Sequence, residues 1–133
     1  IGVSEIIPLV AQHTVKLELK EERLRKIIQE AAEQSGRSVL PRLQISMGFE
    51  QAVKEATLDS INLFFDASGK EFDKKLIKKE QRINIFIGPE GGWSEEEVET
   101  ARRNKFIFVG LGGLTLRAET AAVIGTYLAA QGF

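Results

Sequence analysis

The chain has 133 residues and a formal net charge of −1; that length makes one domain with a real core, and the near-neutral balance excludes a nucleic-acid field spread over the whole surface, so any RNA contact must come from local patches or another domain. It holds no cysteine and one histidine, His13, which excludes disulfides, thiolate catalysis, cysteine-ligated zinc and a histidine-rich metal site. No apolar run reaches transmembrane length and no signal peptide is visible, so the cytoplasm is the expected compartment, with no membrane partner and no metal.

In chain order, the apolar run at residues 5–10 predicts a short buried strand whose pairing Pro8 limits. Residues 20–35 carry Leu24, Ile27, Ile28, Ala31 and Ala32 at helical spacing, predicting a helix with that stripe inward; Gly36 is placed to end it. Residues 43–45 read as a short strand, and residues 49–56 as a short helix with Phe49, Ala52 and Val53 inward. Residues 60–65 predict a strand ending at Asp66. Residues 70–79 read as a polar helix or loop anchored by Phe72, Leu76 and Ile77; the basic run Lys74, Lys75, Lys78, Lys79 and Arg82 reads most simply as a solvated face.

A strand at residues 83–87 then breaks into Gly88-Pro89-Glu90-Gly91-Gly92. Ser94 reads as an N-cap, and Glu97, three residues on, completes a capping box. Arg102, Arg103 and Lys105 close that helix, where cations complement the dipole. A strand at residues 106–109 breaks into Gly110-Leu111-Gly112-Gly113, and an apolar helix opens near residues 116–120 and runs to about residue 131, with Gly132 ending it. Strands alternating with helices predict an α/β domain, a mainly parallel sheet flanked by helices.

Two strand ends thus release glycine-rich turns, and ligands in open parallel sheets sit just beyond such carboxyl ends. The turns are no phosphate cradle: G-x-x-x-x-G-K-[ST] and G-x-G-x-x-G are both absent, and Glu95, Glu96 and Glu97 would repel a phosphate at the first helix. A neutral or cationic ligand fits better; the plainer reading is a pair of tight connections. Arg117 and Glu119 open a helix otherwise rich in Ala, Val, Ile and Leu. So apolar a helix is expected to be largely buried, in a core or a subunit interface, and charges at its mouth then need partners or a task.

The segment from Gly88 to Glu97, together with Leu111-Gly112 and Leu116-Arg117-Ala118-Glu119-Thr120-Ala121, resembles the RsmE family, bacterial methyltransferases of small-subunit ribosomal RNA in the SPOUT class. Gly2-Val3-Ser4-Glu5-Ile6-Ile7-Pro8 and Glu30-Ala31-Ala32-Glu33-Gln34-Ser35-Gly36-Arg37 extend the likeness over almost the whole chain. The resemblance implies a trefoil-knotted SPOUT domain over residues 1–133 that binds S-adenosylmethionine and methylates a uridine N3 in 16S ribosomal RNA as a homodimer. It implies cofactor contacts from Gly88, Pro89, Glu90, Gly91, Gly92, Leu111, Gly112, Leu116 and Thr120. Arg117 and Arg37 would position the target nucleotide, with Glu119 or Glu90 as candidate bases. The matching proteins carry an N-terminal PUA-like barrel and a first strand and helix before the region matched here, so the expectation is a fragment. The alternatives are a non-catalytic fragment that dimerises and binds cofactor, and an unrelated nucleotide-binding α/β protein. At Gly113-Leu114-Thr115 many relatives have proline and arginine at the first two positions; Leu114 supplies no cation. Trp93 stands where the family carries a bulky apolar residue and is expected to pack the start of its helix.

Overall fold

The computed structural model describes residues 2–15, 19–56, 59–77, 82–113 and 116–131. Its centre is the run Leu63-Phe64-Phe65, three consecutive buried apolar residues. A strand can bury both faces only inside a covered parallel sheet. The run lies in β5 (Ser60–Glu71), which pairs in parallel with β6 (Arg82–Ile87) on one side and β7 (Ile107–Gly110) on the other. Alternate side chains feed opposite faces. Phe64 joins Phe86, Phe106 and Phe49 in one core; Leu63 and Phe65 join Ile61, Ile77, Val109 and Ala129 in the other.

Helices α2 (Phe49–Glu55) and α3 (Glu95–Arg103) supply the first core with Phe49, Ala52, Val53 and Ala101. Helix α4 (Ala118–Ala130) covers the second. It sits close, because a Cβ on Gly125 would stand 2.9 Å from Phe65 Cζ. Before the main sheet, β1 (Glu5–Ile6) pairs in parallel with β3 (Arg42–Leu43), and β2 (Leu9–Val10) with β4 (Met47–Gly48). Ile7-Pro8 separates β1 from β2, as expected of a residue that cannot donate to the ladder. Helix α1 (Glu21–Gln34) ends in a Schellman turn: Gly36 has φ +66, its N–H donates to the Glu33 carbonyl (3.1 Å), and the Arg37 N–H donates to the Ala32 carbonyl (2.9 Å).

Some expectations are corrected. The strand placed at residues 60–65 runs on to Glu71, taking in residues assigned to a polar helix or loop; only Lys74–Leu76 forms a single 3-10 turn. The extension works through a register shift, in which Phe65 and Lys70 both face Val109 while residues 66–69 bulge out. Two glycines allow the return: a Cβ on Gly69 would lie 2.3 Å from the Val109 carbonyl carbon, and one on Gly110 would lie 2.5 Å from the Gly69 oxygen. Gln44 and Ile45 fall outside β3, and Phe106 lies before β7, though it is buried. The α1 stripe is mostly uncovered, since Ala32 alone of it is buried and Ile27 is 50% exposed. Helix α4 is also less buried than its composition suggests: Val123 is 59% exposed and Tyr127 54%. Lys78, Lys79, Leu114, Thr115 and Gly132 lie outside the described residues.

Candidate functional site

The strands β5, β6 and β7 are mutually parallel, so their carboxyl ends lie at one edge, and a cleft of about 170 Å³ opens there. Phe65, Asp66 and Ala67 enter it from β5, Ile87, Gly88 and Pro89 from β6, and Val109, Leu111 and Gly112 from β7. Leu116, Ala118 and Ala121 close it from the start of α4, while Glu90, Gly92 and Trp93 complete the wall.

The Gly88–Gly92 loop is held from three directions. The Gly92 N–H donates to the Pro89 carbonyl at 2.8 Å, closing a turn in which Gly92 takes φ +73. His13 Nδ1 lies 3.1 Å from the Gly92 carbonyl oxygen, and a Cβ on Gly91 would meet His13 Cβ at 3.0 Å. Beyond the loop, Trp93 donates its indole N–H to the Phe65 carbonyl (3.0 Å) and stacks on Phe64 with centroids 4.7 Å apart. The expected packing of Trp93 at the helix start is therefore observed.

Helix α3 begins with the expected capping box. The Glu97 N–H donates to Ser94 Oγ (3.2 Å), and the Ser94 N–H donates to Glu97 Oε2 (2.8 Å). The other carboxylate oxygen, Oε1, accepts from the Gln12 N–H at 2.8 Å. Buried Glu97 thus ties the segment after β2 to the helix that follows the glycine turn, and His13, the residue after Gln12, touches the turn itself.

The cleft brings together Gly88, Pro89, Glu90, Gly92, Leu111, Gly112 and Leu116 of the residues named from sequence. Gly91 faces His13 instead, and Thr120 is exposed outside the lining, a position that Ala121 takes. Arg117, the N-cap residue of α4, and Glu119, in its first turn, are exposed on either side of the lining residue Ala118. Neither side chain has a hydrogen-bond or ion-pair partner among the described residues, though the Arg117 carbonyl accepts from the Ala121 N–H (2.9 Å). Arg37 is not in the cleft: its Nη1 donates to the Val3 carbonyl (2.8 Å). Val3 lines a second groove of about 1200 Å³ between β1, β6 and the inner side of α4, which meets the cleft at Ile87, Gly88, Pro89 and Trp93.

Sequence reasoning missed Phe65, Asp66 and Ala67. A signal existed: a polar residue directly follows three buried apolar ones, at the same sheet edge as both glycine turns. The lining charges among the described residues are two carboxylates, Asp66 and Glu90, between apolar walls. That donor set suits a flat apolar group and a cation or hydroxyl, and opposes a phosphate. Gly112 has room as well: it lines the cleft at φ +103, and a Cβ there would meet nothing within 4 Å. Among the described residues no group of three or more metal-ligating side chains occurs, and no helix is long and apolar enough to cross a membrane.

Residues 1–129 match the sequence profile of the RNA methyltransferase domain. The chain is 33% identical over 135 residues to ribosomal RNA small subunit methyltransferase E of Bacillus subtilis, covering 91% of this chain and 53% of that protein. It is 30% identical over 128 residues to the Mesomycoplasma hyopneumoniae protein of the same name, covering 92% and 56%. The chain spans about half the length of the curated relatives it matches. A Neisseria gonorrhoeae ribosomal RNA small subunit methyltransferase E bound to S-adenosyl methionine superposes with TM-score 0.85 at 29% identity, over 98% of this chain and 54% of that one. A Legionella pneumophila protein in complex with the bound cofactor SAM superposes with TM-score 0.83 at 30% identity, over 98% and 56%.

Proposed function

The chain belongs to the RNA methyltransferase domain family, and from that premise we propose that it serves S-adenosylmethionine-dependent methylation of a uridine N3 in small-subunit (16S) ribosomal RNA, with the cofactor in the cleft at the ends of β5, β6 and β7. The observation that carries this reading is the convergence of both glycine turns, Gly88–Gly92 and Leu111-Gly112, on one apolar cleft. The names of the relatives support the substrate, and two structural neighbours solved with the cofactor support the donor.

When bound, the cofactor supplies a methyl group already activated by its sulfonium, so the protein needs to align and deprotonate rather than activate. Ile87, Leu111 and Leu116 would flank the flat base, and the backbone at Gly88, Gly92 and Gly112 would supply its hydrogen bonds. Thr120 and Gly91 would support these contacts from just outside the lining. Arg117, its side chain exposed beside the cleft and without a partner among the described residues, would position the uridine or its phosphate with its planar fork. Glu119, or Glu90 in the wall, would take the imide proton. Arg37, fixed to Val3, would act from the neighbouring groove. The uridine would have to be presented unstacked. The exposed apolar residues of α4, Val123, Ile124 and Tyr127, support a homodimer, and a ribosomal RNA substrate would be consistent with a cytoplasmic protein.

Trp93 is the one tryptophan of the chain and stands in the cleft wall, which makes its emission the first test. Titration with S-adenosylmethionine should quench or shift it saturably, with a matching calorimetric heat. A flat response in both would remove the cofactor reading. Transfer of labelled methyl to small-subunit ribosomal RNA then separates an active enzyme from a fragment that only binds cofactor.

A further inference from the structure

Asp66 was not foreseen as a site residue, yet it stands in the cleft with its geometry fixed on two sides. The preceding carbonyl, of Phe65, accepts the Trp93 indole N–H at 3.0 Å. Its own Oδ1 accepts from the Ser68 N–H at 2.9 Å and from the Ser68 hydroxyl. The other oxygen has no partner among the described residues. The apolar walls include Ile87, Val109, Leu111 and Leu116, and among the described residues no lysine or arginine lines the cleft. An anion held still against apolar walls interacts more strongly with a ligand charge than one in open water.

We propose that Asp66 is a specificity-determining residue through which the cleft reads the charge on the cofactor sulfur, favouring the sulfonium donor over the neutral thioether product. The inference rests on the cofactor reading above. Methyl transfer moves the methyl from sulfur to the uridine nitrogen and leaves the sulfur its electron pair, so the positive charge at sulfur disappears. The α-ammonium, the ribose hydroxyls and the adenine are common to donor and product. A carboxylate that acts on the sulfonium therefore discriminates between the two, and it favours exchange of spent product for fresh donor.

The experiment is calorimetric titration of wild type, Asp66→Asn and Ala67→Lys with S-adenosylmethionine and, separately, S-adenosylhomocysteine. Asp66→Asn keeps an acceptor for the Ser68 N–H and removes only the charge. Ala67→Lys leaves Asp66 in place and sets a cation beside it on an exposed cleft residue, so the question stays answerable if Asp66→Asn does not fold. Each variant should weaken the sulfonium donor about tenfold while shifting the thioether by less than about twofold. Equal losses for both ligands would assign Asp66 to the shared ammonium or ribose and overturn the proposal, as would no loss for either. If wild type binds neither ligand, the cofactor reading itself fails and the proposal with it.

Discussion

Gly88 has no room for a side chain, because Trp93 packs against it. A Cβ there would lie 3.0 Å from indole Cε2 and Nε1, and the ring cannot yield, being stacked on Phe64 and bonded to the Phe65 carbonyl. Gly88→Ala should cost about 1–3 kcal/mol in urea denaturation. Gly112 is the opposite case, with φ +103 and open space where a side chain would be. Gly112→Ala strains the backbone of a residue that lines the cleft, so it should weaken S-adenosylmethionine binding by more than any loss of stability explains; calorimetry and thermal melting on one sample separate the two. The glycine turns were legible in the sequence, but not which glycine answers to the protein and which to the ligand, because that depends on Trp93 reaching back across the loop. The Arg117 side chain has no partner among the described residues, so Arg117→Ala should lower the methylation rate at least about tenfold and leave cofactor affinity unchanged; an unaltered rate would remove it from the mechanism.

At the scale of elements, α3 shows how far local pattern reaches. The spacing of Ser94 and Glu97 announced the capping box, but nothing local announced that the same carboxylate would also accept the Gln12 N–H. Glu97→Ala leaves two backbone donors without their acceptor and should cost about 3 kcal/mol, whereas Ser94→Ala, losing one cap bond, should cost about 1 kcal/mol. The Glu97 loss should also loosen the glycine turn, seen as faster amide exchange at Gly91 and Gly92. Strand β5 shows the limit of local reading: its apolar run stops at Phe65, so the pattern predicted an end there. Its continuation to Glu71 depends on Gly69 meeting Gly110 far along the chain. Likewise the spacing in α1 was helical and the helix formed, but periodicity does not say which face another element will cover.

Across the whole molecule, α4 joins two tasks. Gly125 and Ala129 bed it against the sheet, while Val123, Ile124 and Tyr127 remain exposed. The helix forms as predicted; of the two burials the sequence allowed, core or subunit interface, the single chain supplies the first only along Gly125 and Ala129. If the exposed face is the dimer interface, Tyr127→Glu should turn a dimer into a monomer in sedimentation velocity with the helical circular dichroism retained; a monomeric wild type would remove the interface. The sheet order β6-β5-β7 also has a consequence during synthesis. The central strand leaves the ribosome first, and its neighbours follow only when Arg82 and then Ile107 have been made. Until Gly110 emerges, Leu63, Phe64 and Phe65 form an apolar ribbon with an open edge. The nascent chain is therefore most vulnerable to aggregation in that interval, so a translational pause there would lower the yield of folded protein and a chaperone bound there would raise it.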